Sequence, residues 1–311
     1  MGQRLTVSLV DTGIARQKSN ALVLGGEMMG FCYDDIRRQA KLSGSNEPDA
    51  LLVAHSSGRM LGVMQISFLR YPMVCAEAPI VSQNDGFDGV ARALLDALKS
   101  EVLKHSRIEA EVIQDTIPAG YQEAVAGHLE AVGFEDIGQS TYMSKDLCLE
   151  YQNPVDIQVK LVSAKERGVD SFIRAVAECS QPPFYDCRTQ PRCQSVEGAA
   201  LTIQDIAGDD SGNIDKRLDQ CYIGYRDGDL VAVAVTSPGF LAWIAVRPEC
   251  RRSGIGRSVL LDLERIWMVQ GVRQAGLQVL STNKGAASLY SALGYKSHGE
   301  NSPRIWRWRI A

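Results

Sequence analysis

Residues 246–257 read VRPECRRSGIGR, and they join an apolar, strand-like run to a helical pattern. The run at 240–246 is continuously apolar, which predicts a buried strand, and residues 254–270 have the apolar spacing of a helix. Glycines at the joint allow a ligand to approach the backbone, because no Cβ intervenes. The first N–H groups of a helix lack intrahelical acceptors and carry partial positive charge. With the positive charges of Arg251, Arg252 and Arg257 nearby, the joint therefore predicts an anion site.

A second segment, residues 280–295, reads LSTNKGAASLYSALGY. Asn283 follows an apolar run that predicts a buried strand, and its side-chain amide is free to form hydrogen bonds. Tyr290 lies one turn before Leu293 and Gly294 in the helix that follows, and it can project its hydroxyl from that helix. Taken alone, Tyr290 fits an ordinary half-buried helix tyrosine. Its position after the glycine-bearing joint favours a functional role.

Together the two segments resemble the CoA-binding motifs of the GCN5-related N-acetyltransferase (GNAT) superfamily. Residues 251–256, RRSGIG, resemble the pyrophosphate loop Gln/Arg-x-x-Gly-x-Gly/Ala of that family. Residues 243–248 are similar to its fourth strand, whose backbone pairs with the pantetheine arm. The resemblance implies that Asn283 bonds the pantetheine region and that Tyr290 sits near the thioester sulfur and protonates the leaving thiolate.

The resemblance implies acetyl-CoA, or another acyl-CoA, as co-substrate. The implied cofactor-binding residues lie on the fourth strand, in the joint and in the second segment: Ile244, Val246, Arg251, Arg252, Ser253, Gly254, Ile255, Gly256, Arg257, Asn283 and Tyr290. Tyr290 is also the predicted catalytic residue. A backbone N–H near Val246 is expected to stabilise the thioester oxygen as it gains negative charge.

The strand at 240–246 has no carboxylate, although many family members carry a glutamate there as base or water-holder. The base is then a water molecule or a side chain from elsewhere in the chain. The candidates are His298, Glu300, Asp209 and Asp210. Residues 180–212 fall where the family builds its acceptor site. Phe184, Tyr185 and the acidic residues of this stretch either receive a cationic amine or form a solvated loop.

A chain of 311 residues is long for one α/β unit and comfortable for two. Short sequence matches support a repeat, since residues 94–96 and 131–134 recur as similar segments at 260–262 and 292–295. We therefore predict an α/β fold of two tandem GNAT-like domains, 1–152 and 153–311. Each is expected to have a mixed, mostly antiparallel central sheet flanked by helices.

The first half lacks the phosphate loop. Aligning the repeats places residues 85–90 over the joint, with Asp85 in place of the arginine and Asp88 in place of the first glycine. Leu129 takes the position of Tyr290. Because acidic groups repel a pyrophosphate, we expect a degenerate GNAT-like domain without a second CoA site. Residues 51–81 also resemble, weakly, the first domain of the FemAB aminoacyltransferases.

Composition limits the classes of partner. The net charge is −4 and the pI is about 5.7, so a nucleic-acid partner is not expected. No apolar run is long enough to span a membrane, and the eight cysteines lack a CxxC pair, so we expect a cytoplasmic protein with free thiols and no metal.

The predicted function is transfer of an acyl group from acyl-CoA to a primary amine of a small-molecule acceptor. Two alternatives remain open at this point. One is a FemAB-like transfer from aminoacyl-tRNA, and the other is a protein that binds acyl-CoA without catalysis.

Overall fold

A computed structural model describes residues 5–11, 50–57, 59–81, 87–114, 119–147, 158–184, 186–208, 212–299 and 302–310. The chain forms two compact units. Unit 1 comprises Met1–Ile137 with Pro303–Ala311, and unit 2 comprises Gly138–Ser302. None of the helices in the described ranges is long and apolar enough to cross a membrane.

Strands and helices alternate along both units. Within the described residues they are, in chain order, β1 (Thr6–Asp11), β2 (Ala50–Ser56), β3 (Arg59–Phe68), β4 (Met73–Glu77), β5 (Ile80–Val81), α1 (Phe87–Lys104), β6 (Glu109–Gln114), α2 (Ala119–Ala131), β7 (Glu135–Asp146), β8 (Lys160–Ser163), α3 (Ala164–Arg167), α4 (Val169–Cys179), α5 (Val196–Ala207), β9 (Cys221–Arg226), β10 (Asp229–Ser237), β11 (Phe240–Val246), α6 (Ile255–Val269), β12 (Gln274–Leu280), α7 (Lys284–Ala292), β13 (Lys296–Ser297) and β14 (Arg304–Arg309).

Unit 1 has a mixed sheet in the order β1-β2-β3-β4-β6-β14, and β5 also pairs with β3. Only β4 and β6 run parallel among these described pairs. Leu94, Leu95 and Leu98 of α1 are fully buried against this sheet. Each such leucine contributes about 1.5–3 kcal/mol of burial free energy. Trp306 of β14 is buried in the same core, and its indole N–H donates to the side-chain oxygen of Gln114 at 2.8 Å.

Unit 2 has a sheet in the order β7-β12-β11-β10-β9-β8, and β13 also pairs with β7. Helices cover both faces of this sheet, which explains its continuously apolar strands. On β10, Ala232 and Ala234 belong to the core cluster that includes α6 and α7 residues. Val233 and Val235 belong to the cluster that includes α4 and α5 residues. The glycine-bearing joint lies between the central strand β11 and helix α6.

The predicted fold class is confirmed: each unit has a mixed, mostly antiparallel sheet flanked by helices. The Asp227-Gly228 sequence predicts a hairpin turn, and β9 and β10 form a hairpin around it. Both residues have positive φ, 54° and 91°, as the tight turn between β9 and β10 requires.

The compact units have other limits than the predicted domains, 1–152 and 153–311. Residues 148–157 lie outside the described ranges, so the predicted division stays a prediction. Strand pairing explains the different limits. β7, from the first half of the sequence, pairs with β12 of unit 2, and β14, from the end of the chain, pairs with β6 of unit 1. β13 directly precedes β14 in the chain order of strands but pairs with β7.

The sequence pattern of residues 165–179 predicts one helix, but the structure has two, α3 and α4, because Gly168 between them has a φ of 86°, outside the helical region. Residues 180–212, a stretch with prolines and glycines, are partly helical and include the three-turn helix α5. Ser195 begins that helix, and its side-chain oxygen accepts the N–H of Gly198 at 3.0 Å.

Candidate active site

A gap opens between the parallel strands β11 and β12. Their register pairs only Phe240 with Gly276 and Leu241 with Leu277, whereas β11 remains paired with β10 as far as Val246. Within the described residues, the second half of β11 therefore has a strand partner on one side only. Its other edge offers backbone hydrogen-bonding groups to a ligand.

The groups at this open edge are identified by the alternation of antiparallel pairs. The N–H of Arg247 donates to the carbonyl of Val231 on β10 at 2.9 Å. Because hydrogen-bonding direction alternates along a strand, the backbone N–H and C=O of Ile244 and Val246 point away from β10. These are the two strand positions predicted to bind the pantetheine arm.

The phosphate loop lies at the end of the gap. A 3-10 turn at Pro248–Cys250 follows β11, and the backbone then adopts left-handed conformations at Arg252 (φ 63°) and Gly254 (φ 84°). The first helical hydrogen bond of α6 runs from the N–H of Ser258 to the carbonyl of Gly254 at 3.0 Å. The N–H groups before Ser258 therefore precede the helical ladder, and they are the groups to which the anion site is predicted to belong.

Arg251 holds this loop in place. Its guanidinium donates to the carbonyls of Val246 (2.8 Å), Gln181 (2.9 Å) and Cys179 (3.2 Å), and also to that of Pro183. Several of the donors of Arg251 are thus committed to backbone oxygens. This arrangement ties the phosphate loop to the segment that follows α4, a structural role that the sequence did not reveal.

Besides Arg251, the positive charges of the phosphate loop are those of Arg252 and Arg257. Neither side chain forms an ion pair within the described part of the chain, and both line the cavity described below. Nη1 of Arg252 lies 4.0 Å from the place that a Cβ on Gly285 would occupy, so it reaches the first turn of α7. Charge from the loop and the N-terminal ends of two helices therefore converge on one region.

Asn283 begins helix α7. Its side-chain oxygen accepts the N–H of Ala286 at 3.2 Å, the usual bond of an N-cap asparagine. This bond uses the carbonyl oxygen of the amide. The amide nitrogen has no hydrogen bond to a described residue, and Asn283 lines the cavity. The asparagine thus combines a capping role with a donor for a ligand.

Tyr290 lies near the end of α7, and its relative exposure is 5%. Burial raises the pKa of its hydroxyl well above the ordinary value, and the negative charge of Asp186 raises the pKa further. The hydroxyl therefore stays protonated at neutral pH. Within the described residues it has no hydrogen-bond partner, so its proton is available to a ligand.

These residues enclose one cavity of about 330 Å³, a volume at the lower end of the range of small-molecule sites. Every predicted cofactor-binding residue lines it except Ser253 and Ile255. The Ser253 hydroxyl donates to the carbonyl of Cys250 at 2.6 Å, and Ile255 is buried in the core. The cavity also includes residues that the sequence did not single out: Asp186, Gln190, Ala245, Cys250, Gly285, Ala286 and Leu289.

Of the predicted base candidates, His298 is the one that the described ranges include, and it does not line this cavity. His298 lines a different cavity and shares a 2.7 Å hydrogen bond with Ser144. Asp209, Asp210 and Glu300 lie outside the described residues, as does Tyr185. Phe184 is 36% exposed and does not line the Tyr290 cavity. The acidic residue that does line it is Asp186, which belongs to the stretch where an acceptor site was expected.

Unit 1 differs at the corresponding places. Its parallel strands β4 and β6 are paired over five residues, from Met73–Glu109 to Glu77–Ile113. They therefore stay paired for longer than β11 and β12, which pair at two positions. Leu129, aligned with Tyr290, is fully buried in the core. Asp88 lies in the first turn of α1, and its Oδ1 is 3.0 Å from Nε2 of His128. Asp85 lies outside the described residues. The absence of a second CoA site in the first half stays a prediction.

Comparison with protein families identifies the domain. Residues 217–297 match the family model of the acetyltransferase (GNAT) domain. The match contains the phosphate loop, Asn283 and Tyr290, so the GNAT prediction for the C-terminal half is confirmed. The match does not extend into unit 1, whose description as a degenerate GNAT-like or FemAB-like domain stays a prediction. No curated protein matches the chain.

Solved structures share the fold at low sequence identity. A GCN5-related N-acetyltransferase from Sphaerobacter thermophilus has a TM-score of 0.58 and 15% identity, covering 99% of this chain and 96% of that one. A tandem GNAT protein from the clavulanic acid biosynthesis pathway has a TM-score of 0.52 and 16% identity, covering 98% of each chain. Both likenesses show the fold.

A third similar structure is a larger protein. It is described as a GCN5-related glucosamine N-acetyltransferase region in a fungal multi-domain GH3 beta-N-acetylglucosaminidase. The TM-score is 0.59 at 13% identity, and the match covers 99% of this chain but 38% of the fungal chain. This likeness again shows the fold.

Proposed function

We propose, from the premise that the C-terminal half carries a GNAT domain, that the protein transfers an acyl group from acyl-CoA to a primary amine. Acetyl-CoA is the expected donor and a small molecule the expected acceptor. The observation that carries the proposal is the gap between β11 and β12, which connects the N-terminus of α6 with Tyr290 in one cavity.

The residues of this cavity fit an acyl-CoA. The N–H groups at the start of α6, with Arg252 and Arg257, suit a pyrophosphate. The open edge of β11 suits the amides of a pantetheine arm, because the N–H and C=O of Ile244 and the N–H of Val246 can form hydrogen bonds as a neighbouring strand would. The carbonyl of Val246 already accepts a hydrogen bond from Arg251. The amide nitrogen of Asn283 provides a further donor beside that arm.

Two groups are assigned to the chemistry. The N–H of Val246 is directed to the open edge of β11, where it would stabilise the carbonyl oxygen of a thioester during attack. Tyr290 would donate its proton to the departing sulfur, since its raised pKa keeps the hydroxyl protonated. The largest contribution is expected from holding amine and thioester together in one site.

Thiol release tests this function and separates it from the alternatives. The full chain is incubated with acetyl-CoA and a panel of primary amines, which includes an amino sugar because one similar structure is described as a glucosamine N-acetyltransferase. We expect saturable thiol release that depends on the amine. Tight CoA binding without thiol release by any amine would favour a non-catalytic protein. Activity with aminoacyl-tRNA instead of acetyl-CoA would favour a FemAB-like aminoacyltransferase.

A further inference from the structure

Asp186 is a carboxylate held rigidly at the wall of the Tyr290 cavity. One of its oxygens, Oδ1, accepts the backbone N–H of Arg188 at 2.9 Å and that of Thr189 at 3.3 Å. Its own backbone N–H donates to the side-chain oxygen of Gln190 at 3.1 Å. These bonds fix the turn that begins at Asp186 and orient the carboxylate.

The other oxygen of the carboxylate, Oδ2, remains available. It has no hydrogen bond or ion pair with any described residue, although Asp186 is half-buried and lines the cavity. Asp186 is also the one carboxylate among the described residues that line it. A partly desolvated carboxylate with an unused oxygen is suited to bind a cation.

Asp186 lines the same cavity as Tyr290. Its negative charge also contributes to the raised pKa of the Tyr290 hydroxyl. The segment just before Asp186 is fixed to the phosphate loop by the bonds from Arg251 to the carbonyls of Gln181 and Pro183. The carboxylate is therefore held on a wall that is tied to the proposed CoA site.

We propose that Asp186 binds the acceptor as its ammonium ion and is the base that removes the ammonium proton. This inference rests on the proposed acyltransfer. Oδ2 of Asp186 would take one proton from the R–NH3+ group, leaving R–NH2 with a lone pair. That nitrogen would form a bond to the thioester carbonyl carbon, and the carbon–sulfur bond would break. The sulfur would leave with the bonding electrons and receive the Tyr290 proton.

The proton balance closes with solvent. Asp186 would release its proton to water, and the remaining proton lost by the amine nitrogen would restore the Tyr290 hydroxyl. The net reaction converts an ammonium ion and an acyl-CoA into an amide, free CoA thiol and one proton. Asp186 thus assigns the acceptor class: a primary amine that enters as a cation rather than an alcohol or a neutral amide.

The test replaces the charge but keeps the shape. Asp186→Asn retains an Oδ1 acceptor for the turn, so the loop should keep its geometry. The matched control is Asp229→Asn, an exposed position at the start of β10. Both variants are compared with the wild type by acetyl-CoA affinity, thermal melting and amine-dependent thiol release.

Three results are expected for Asp186→Asn. Acetyl-CoA affinity changes less than about twofold, because Asp186 touches the acceptor side. The kcat/KM for an alkylamine at pH 7 falls about 100-fold, within the range for loss of a general base. With hydroxylamine, which is already neutral at pH 7, kcat/KM changes by less than about tenfold.

The pH profile gives a second signature. The other titratable or charged side chains that line the cavity with Asp186 are Tyr290, Cys250, Arg251, Arg252 and Arg257, and the charge of Asp186 also acts on the thiol of Cys193. Wild-type kcat/KM for an alkylamine should be nearly flat between about pH 6 and 9, because the ammonium form is the substrate. In Asp186→Asn it should rise about tenfold per pH unit, following the fraction of free amine.

The possible outcomes distinguish a failure of the Asp186 proposal from a failure of the proposed acyltransfer. An active wild type with an unchanged Asp186→Asn variant would refute the role of Asp186 and leave the acyltransfer intact. If the variant does not fold, the wild-type profile still decides, since a rise of tenfold per pH unit would contradict an internal base. No amine-dependent thiol from the wild type would instead refute the proposed function itself.

Discussion

Removing the hydroxyl of Tyr290 should lower turnover without weakening acetyl-CoA binding. The hydroxyl has no hydrogen-bond partner among the described residues, so Tyr290→Phe should cost less than about 1 kcal/mol of stability. The side chain stays buried in the same core after the change. Any loss of activity can then be attributed to the missing proton donor rather than to a damaged fold.

The size of the effect follows from the charge on the leaving sulfur. A hydrogen bond to a charged group contributes about 1.5–3 kcal/mol. At about 1.36 kcal/mol per factor of ten, that loss lowers kcat about 10- to 150-fold. Burial raises the pKa of Tyr290, but the sulfur departs into the same buried surroundings, which make a thiolate more basic for the same reason. The raised pKa of Tyr290 is therefore compatible with proton donation to the departing sulfur.

The assay is steady-state thiol release with separate measurement of acetyl-CoA affinity. Because the sulfur gains charge only during the reaction, kcat should fall while the dissociation constant of acetyl-CoA stays within about twofold. Tyr295→Phe is the matched control. Tyr295 is buried in the same cluster, with its ring 6.1 Å from that of Tyr290, and it does not line the cavity. An unchanged kcat in Tyr290→Phe, or equal losses in both variants, would refute the assignment.

Three further predictions concern the loop, the core and the cavity. Gly254→Ala should weaken acetyl-CoA binding about 5- to 30-fold by calorimetry, because a left-handed conformation costs an L-residue about 1–2 kcal/mol. The control Gly271→Ala, at a φ of 82° away from the cavity, should carry similar strain without loss of affinity. Lys145→Met should destabilise the fold by about 3–5 kcal/mol in denaturant unfolding, because it leaves the buried carboxylate of Glu264, now 2.6 Å from Lys145 Nζ, without its cation. Acetyl-CoA at ten times its dissociation constant should slow alkylation of Cys250, a cavity residue, about tenfold.

Each of these predictions has a contradicting result. Equal affinity losses at both glycines would show a general effect of strain. Arg265→Met removes a more exposed ion pair with Asp262 and should cost less than about 1 kcal/mol, so a similar loss there would contradict the role of burial. Cys187 does not line the cavity, and its alkylation should be unaffected by acetyl-CoA. Burial raises the pKa of Cys221 to about 12, so its alkylation at pH 8 should be much slower.

The sequence predicted the cofactor side of the site because the phosphate loop is local. A helix N-terminus, its glycines and the preceding strand are contiguous, so their physical roles can be read from residues 240–257 alone. Asn283 and Tyr290 lie in a second contiguous segment and were predicted for the same reason. Their convergence on one cavity with the loop follows from placing α6 and α7 on one face of the sheet.

The acceptor side could not be read in this way. Asp186 lies in a segment without a periodic pattern. Tertiary packing brings it to the same cavity as Tyr290, which is more than 100 residues away in the sequence. Its available signal was an aspartate at the start of a turn, a common feature that does not identify a site. The hydrogen bonds from Arg251 to backbone carbonyls could not be predicted either, because every residue has a backbone carbonyl and the sequence does not show which ones Arg251 contacts.

The unit limits show a similar difference between local and long-range information. The central elements of each unit follow from local periodicity. The pairing of β14 with β6 joins residues about 200 positions apart, such as Arg309 and Glu109, whose side chains contact at 2.8 Å. Sequence order alone assigns this last strand to the second half, and only the hydrogen-bonded register assigns it to unit 1.

The central claim is that this cavity moves an acyl group from CoA to nitrogen. The most direct measurement is a mass balance with acetyl-CoA that is ¹³C-labelled in the acetyl group and a primary amine that supports thiol release. We predict one labelled N-acetyl product for each CoA thiol, with both falling together in Tyr290→Phe. Thiol accompanied by labelled acetate and no N-acetyl product, or no thiol with any amine, would contradict the claim.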